Sequence, residues 1–258
     1  MSLFCLDIGN TNIVMGLYKD EELVTHWRIA TDHQKMADEY AMLILDLLER
    51  SAQDPAAVEG VIIASVVPPL TGNFEKLSQR YLGQTALVVD ATVHTGVNIR
   101  LDNPKEVGAD RVVNVVAAYH RYGGPACVVD LGTGTTFDLL SVDGDYLGGA
   151  IAPGIGIAAE ALFQRAAKLP RVDLVRPPSV IGKSTVQAMQ SGLLFGYVGL
   201  VEGLVARFRA ELGPEMKVIA TGGLASLIAA ETAVIDAVDP WLTLEGLRLV
   251  WEMNRKEK

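Results

Sequence analysis

Leu3-Phe4-Cys5-Leu6-Asp7-Ile8-Gly9-Asn10-Thr11-Asn12-Ile13-Val14-Met15-Gly16-Leu17-Tyr18 and Ala126-Cys127-Val128-Val129-Asp130-Leu131-Gly132-Thr133-Gly134-Thr135-Thr136-Phe137 decide the fold. Each is an apolar run ending in Asp, an aliphatic residue and glycine, then a turn of small polar residues, then a second apolar run. That pattern reads as strand, tight turn, strand. From position 7 to position 130 is 123 residues, close to half of the 258-residue chain. A recurrence at that separation predicts a duplicated domain and not a stack of short repeats. Chance likeness of two hairpins is the alternative.

Working outward, the first half continues with a strand over 23–29 and a helix over 35–50 that places Met36, Tyr40, Leu43, Ile44, Leu47 and Leu48 on one face. A buried strand over 58–67, stopped by Pro68-Pro69, a helix over 70–82 and a strand over 85–89 complete it. The second half repeats the opening with strands over 136–142 and 146–151. Helices over 155–166 and 184–211, a strand over 216–220 and closing helices follow. The boundary falls between 115 and 125, near Arg121-Tyr122-Gly123-Gly124-Pro125, giving domains of 1–118 and 119–258.

Half of the residues are apolar, enough for a sizeable core, and the net charge is −9. No basic block is present, which excludes the footprint of a nucleic-acid binder. Cys5 and Cys127 lie in strand-like runs and read as small core residues. His26, His33, His94 and His120 show no metal-ligand spacing. No leader is expected at Met1-Ser2-Leu3. The most apolar helical stretch, 192–206, is shorter than the ~20 residues a bilayer needs and contains Glu202. A cytoplasmic protein without a membrane span is expected, with 254–258 as a solvated helix end.

The chemistry concentrates in the two turns. Small polar turns leave backbone N–H groups open to phosphate oxygens, and Thr11, Thr133 and Thr135 add hydroxyls. Asp7 and Asp130, at their strand ends, are hard oxygen ligands suited to Mg²⁺ or its waters. Asp110 follows the small residues Gly108-Ala109, so a substrate can approach the backbone there. It suits either an N-cap of a helix over 111–119 or a general base, and spacing alone does not choose. Gly182-Lys183-Ser184 resembles the end of a P-loop, but Pro177 stands where that motif needs glycine. Gly154-Ile155-Gly156-Ile157-Ala158-Ala159 matches a loose dinucleotide fingerprint but follows a meander strand, so a glycine-lined substrate or phosphate loop is expected. Thr221-Gly222-Gly223 suits either a loop beneath an adenine or a strand-to-helix turn. Gly192, Gly196, Gly199 and Gly203 weaken a long helix, which predicts close packing there, as a dimer seam or within the second domain.

The segments Asp7–Asn12, Asn103-Pro104-Lys105-Glu106-Val107-Gly108-Ala109-Asp110-Arg111 and Asp130–Thr135 together resemble type III pantothenate kinase. Pro153-Gly154-Ile155, Ile181-Gly182-Lys183-Ser184-Thr185 and Gln190-Ser191-Gly192 extend the likeness over 3–223. The resemblance implies an α/β protein of two duplicated actin-like (ribonuclease H-like) domains. Each would be a mixed five-stranded sheet flanked by helices, with ATP in the interdomain cleft. It implies a homodimer that uses ATP with Mg²⁺ to phosphorylate pantothenate, the first step of coenzyme A synthesis. Asp7, Ile8, Gly9, Asn10, Thr11, Asn12, Ile13, Val14 and Thr133 would bind ATP. Asp130 would hold a monovalent cation, K⁺ or NH₄⁺. Gly108, Ala109, Asp110, Arg111 and Thr185 would bind pantothenate, with Asp110 as catalytic base. Leu101 departs from the tyrosine expected two positions before Asn103-Pro104, which puts one pantothenate contact in doubt. A kinase of the same superfamily acting on a sugar or small acid, or a regulatory relative without turnover, are the rival readings; the intact Asp7, Asp110 and Asp130 speak against the second.

Overall fold

The computed structural model describes residues 1–255, so from Lys256 onward the expected solvated tail lies outside the described residues. Two compact units account for the chain. The first contains Met1–Val97, Asp102–Ala117 and the stretch from Leu242; the second contains Asn98–Leu101 and Ala118–Trp241.

In the first unit, β1 (Ser2–Ile8), β2 (Asn12–Lys19) and β3 (Glu22–Ala30) form an antiparallel meander. After α1 (Ala37–Arg50), β4 (Gly60–Ser65) lies parallel to β1 on its other edge. α2 (Pro68–Tyr81) then leads to β5 (Leu87–Val88), completing the order β3-β2-β1-β4-β5. Pro68 and Pro69 open α2, where a missing N–H costs nothing. Phe4, Leu6 and Ile8 of β1 face a core built with Tyr40, Ala41, Ile44 and Leu48 of α1 and Leu70, Phe74 and Leu77 of α2. The α1 stripe differs from the expected one: Met36 precedes the helix and is exposed, as is Leu43. At 100° per residue the positions that stack are 40, 44 and 48 with 41 beside them, and 43 falls outside the arc. The helix α3 (Ala109–Tyr122) follows a loop region, and the unit division falls within it after Ala117.

The second unit repeats the plan. β6 (Ala126–Leu131), β7 (Gly134–Leu140) and β8 (Tyr146–Pro153) form a meander. Then come α4 (Ile155–Arg165), α5 (Thr185–Leu212), β9 (Lys217–Thr221), α6 (Ala225–Ala229) and β10 (Ala237–Val238). β6 pairs antiparallel with β7 and parallel with β9, and the order is β10-β9-β6-β7-β8. Strand for strand this is the first sheet again. The likeness of the two sequence openings therefore reflects duplication, in two mixed five-stranded sheets flanked by helices.

α5 is 28 residues long, longer than the apolar stretch 192–206, and by length and composition it could cross a bilayer. Its role in this unit is different. Met189, Leu193, Leu194, Val198, Val201 and Val205 are buried, all but Met189 in the core beneath β6, β7 and β9. Burying six such side chains contributes about 1.5–3 kcal/mol each, more than the ~1 kcal/mol each that four helical glycines cost relative to alanine. Packing decides, and the helix forms despite its glycines.

The last helix, α7 (Leu242–Asn254), returns to the first sheet, where it contacts β1, β2 and β4. The approach is close: a Cβ on Gly16 of β2 would stand 2.7 Å from Leu244 Cδ1. Arg248 of α7 is 4% exposed yet fully engaged. Its guanidinium donates to Glu245 at 2.6 Å and Glu252 at 2.7 Å, and lies 5.9 Å from the Tyr18 ring centroid. A buried charge is tolerated on such terms. Cys5 and Cys127 are buried core residues, and burial pushes both thiols well above the usual range.

Candidate functional site

In the first unit the Asp7 turn is built by the end of β1 and the start of β2. Asp7 lies opposite Val14 on β2 and Ala64 on β4, one residue before β1 ends. Gly9 N donates to Asn12 O at 3.0 Å, so the turn closes on itself. Thr31 then ties it down: its hydroxyl donates to Gly9 O at 2.6 Å and its N–H to Thr11 O at 2.9 Å. Asn10, Thr11 and Asn12 form the exposed tip, while Ile8 and Ile13 are buried beneath it. Beside the turn, Val66 N donates to Ile8 O at 3.1 Å, which carries the chain from β4 past the end of β1.

The segment with Asp110 arrives at this same place. Gly108 packs on Val66, where an added Cβ would stand 3.3 Å from Val66 Cγ1 and would overlap Asp110 Oδ1. α3 begins at Ala109, two residues earlier than the expected helix. Asp110 is therefore inside the first turn and not ahead of it as an N-cap. Its carboxylate accepts from Arg111 N at 2.8 Å, and Arg111 N and Val112 N also reach Gly108 O. A carboxylate in the first turn is stabilised by the helix dipole. Gly108, Ala109, Asp110 and Arg111 are thus gathered beside the end of β1 within one unit.

The second unit holds the matching turn. Asp130 lies opposite Thr136 on β7 and Thr221 on β9, again one residue before its strand ends. Gly132 N donates to Gly134 O at 3.0 Å. Three glycines crowd this loop. A Cβ on Gly222, which has φ +91°, would lie 2.5 Å from Asp130 Oδ1 and 2.7 Å from Leu131 C. A Cβ on Gly132 would lie 3.3 Å from Asp130 Oδ1, and one on Gly154 would overlap the Thr133 carbonyl. Thr221-Gly222-Gly223 and Pro153-Gly154 therefore press against the Asp130 loop, the first because only glycine adopts that φ without strain. Thr135 Oγ1 is buried there without a partner. Thr185 opens α5 and is exposed; Ser184 before it is the N-cap, accepting from Gln187 N at 3.2 Å. No strand precedes Gly182 between β8 and α5, which removes the P-loop reading.

A family model described as type III pantothenate kinase matches residues 3–207. The chain belongs to the type III pantothenate kinase family. A type III pantothenate kinase of Roseiflexus sp. (strain RS-1) is 57% identical over 253 residues, covering 98% of this chain and 99% of its own. One from Moorella thermoacetica is 56% identical over 252 residues with the same coverage. Among solved structures, the activator of 2-hydroxyisocaproyl-CoA dehydratase from Clostridium difficile superposes with a TM-score of 0.59 at 11% identity, over 100% of this chain and 98% of that one. An inorganic polyphosphate/ATP-glucomannokinase from Arthrobacter sp. strain KM superposes with a TM-score of 0.50 at 16% identity, over 98% of this chain and 97% of that one. At such identities the likeness is one of fold, and the fold is the duplicated actin-like domain of this kinase family.

Thr31 and Val66 shape the first turn without belonging to a motif: each hydrogen-bonds the turn's backbone from a distant part of the chain, Thr31 with its hydroxyl and N–H and Val66 with its N–H. The close contact at Gly108 yields a specific expectation. Gly108→Ala should displace the Asp110 carboxylate while leaving the sheets intact, so kcat should fall at least ~10-fold, a scale set by sub-ångström positioning, with little change in thermal stability. Steady-state kinetics beside a melting curve test this; unchanged turnover would mean the carboxylate is free to relocate.

Proposed function

We propose that the chain transfers the γ-phosphoryl group of ATP to the primary hydroxyl of pantothenate, as its family membership supports, with Asp110 as the general base. One observation carries the assignment to Asp110: its carboxylate is held in the first turn of α3, against Gly108 and beside the junction of Val66 with Ile8. An alcohol is a weak nucleophile, and a positioned carboxylate that takes its proton helps at an ordinary pKa. Gly108 and Ala109 leave the backbone open to substrate, Arg111 neutralises an anionic group, and Thr185 adds a hydroxyl.

Phosphoryl transfer depends on positioning and charge neutralisation more than on covalent help from the protein. The Asp7–Val14 turn binds the nucleotide phosphates through exposed N–H groups and the Thr11 hydroxyl, and Thr133 adds a further contact. Asp130 suits a monovalent cation such as K⁺: it is a hard oxygen donor walled by Gly132 and Gly222, which admit no side chain. Asp7 would be the carboxylate to hold the Mg²⁺ that accompanies ATP, and the ion would supply charge neutralisation at the phosphates. The cytoplasm, where ATP is supplied, is the proposed location.

The homodimer rests on α5. Cβ atoms built on Gly192, Gly196 and Gly199 would meet nothing within 4 Å, and one on Gly203 only Arg207 Nη1 at 3.5 Å. The glycines thus serve no packing within the described chain. Val180, Ile181 and Val186 near the start of α5 are exposed as well. Light scattering at micromolar concentration should give twice the chain mass, and Gly196→Glu should shift it to the monomer; a monomeric parent protein would remove the proposal.

For the chemistry, Asp110→Asn should lower kcat by ~10²–10⁴, the worth of a positioned base, while ATP affinity holds within about twofold. An ADP-release assay offering pantothenate, a hexose and acetate in turn should respond to pantothenate alone. Equal turnover by the variant would overturn the base, and preference for a hexose or acetate would overturn the substrate.

A further inference from the structure

Thr31 follows the last rung of the β2–β3 ladder, Asn12 opposite Ala30, and there the chain meets the Asp7 turn. Its hydroxyl donates to Gly9 O at 2.6 Å and its N–H to Thr11 O at 2.9 Å. Each of those carbonyls belongs to a planar trans peptide, in which the N–H points opposite to the C=O. Holding the Gly9 carbonyl therefore turns the Asn10 N–H away from Thr31, and holding the Thr11 carbonyl does the same for the Asn12 N–H. One residue thus aims two amide groups of the exposed tip.

Thr31 is in turn mounted from the core. The next residue, Asp32, is held by its backbone: the Tyr40 hydroxyl of α1 accepts from Asp32 N at 2.9 Å and donates to Asp32 O at 2.9 Å. Tyr40 is fully buried, and its ring packs on Phe74 of α2 with centroids 4.8 Å apart. Burial raises the phenol above its ordinary value, so it stays protonated and able to donate. The helix that carries Tyr40 is fixed at its start, where Met36 N donates to Glu39 Oε2 at 2.9 Å. The loop between them is pinned as well. Gln34 N donates to Asp32 Oδ1 at 3.0 Å, and Asn73 Nδ2 of α2 donates to Lys35 O at 3.2 Å.

Every residue on this path, from the turn to Phe74, lies in the first unit. The ring and the hydroxyl of Tyr40 have separable roles. The ring fills the core between α1 and α2, whereas the hydroxyl serves the segment that carries Thr31. Asp32 is exposed, so water can take over its two backbone bonds, and their net contribution to folding is small. Their geometric consequence is larger, because donors that receive a charged ligand act only when they are held in the productive orientation.

We propose that Tyr40 is a positioning residue for the nucleotide: through Asp32 it sets Thr31, and Thr31 sets the Asn10 and Asn12 amides that receive phosphate oxygens. This rests on the reading of the 7–14 turn as the phosphate site. The test compares Tyr40→Phe, which keeps the ring, Thr31→Val, Thr31→Ser and the double variant Tyr40→Phe/Thr31→Val with the unaltered protein. It reads KM for ATP and for pantothenate, the melting temperature, and amide hydrogen exchange across 8–14 with and without ATP. Tyr40→Phe and Thr31→Val should each raise KM for ATP roughly three- to tenfold, the scale of one hydrogen bond, with KM for pantothenate and the melting temperature nearly unchanged. Thr31→Ser, which keeps the hydroxyl, should recover most of what Thr31→Val loses. The double variant should lose no more than Thr31→Val alone, because both changes act on one path. Unaltered ATP kinetics in Tyr40→Phe, or additive losses in the double variant, would overturn the proposal. So would a lowered melting temperature with ATP and pantothenate affected alike. Absence of ATP protection across 8–14 in the unaltered protein would instead end the phosphate-site reading itself, whatever Tyr40 does.

Discussion

The central strand of each sheet is paired on both edges and buried along its length, and that enclosure determines where charge can appear. β1 and β6 are buried along their length, with Leu3 to Leu6 and Ala126 to Val129 fully inaccessible. An unpaired carboxylate in the middle of either strand would cost several kcal/mol. Asp7 and Asp130 stand next to the strand ends, where the neighbouring strands diverge into an antiparallel partner on one edge and a parallel partner on the other. In open α/β sheets such switch points are where ligands bind.

Around those ends the backbone is brought closer than side chains would allow. Gly222 has φ +91° and passes against Asp130 and Leu131; Gly154 passes against Thr133; Gly108 passes against Val66 and the Asp110 carboxylate. These glycines let loops from distant parts of the chain approach the carboxyl ends of β1 and β6, each within its own unit. α7 covers the first sheet, where Leu244 packs on Gly16 and Arg248 lies over the Tyr18 ring, partners more than 200 residues away in sequence.

The two hairpins, the two strand-end aspartates and the long α5 were legible because each is carried by local pattern: apolar runs, a Gly-rich turn, helical spacing. The family followed from the order of its motifs. What stayed hidden depends on partners far along the chain. The return of α7 to β1, the strap at 98–101 pairing with Tyr146, and Thr31 closing the Gly9 turn have no periodicity of their own. α3 starts two residues before the apolar stripe that marks it in the sequence, because short Ala109 and charged Asp110 are not part of that stripe, and a carboxylate just ahead of the stripe reads as a cap. The glycines of α5 are visible in the sequence, whereas the open space beside Gly192, Gly196 and Gly199, which excludes close packing of these three within the described residues, is visible only in the structure.

A crystal structure with pantothenate and a non-hydrolysable ATP analogue tests the central claim most directly. The primary hydroxyl oxygen of pantothenate should lie within hydrogen-bond reach of the Asp110 carboxylate, about 2.6–3.2 Å, with the phosphates on the 7–14 turn. A pantothenate hydroxyl held by other groups, with Asp110 still turned onto the N–H of Arg111, would contradict it.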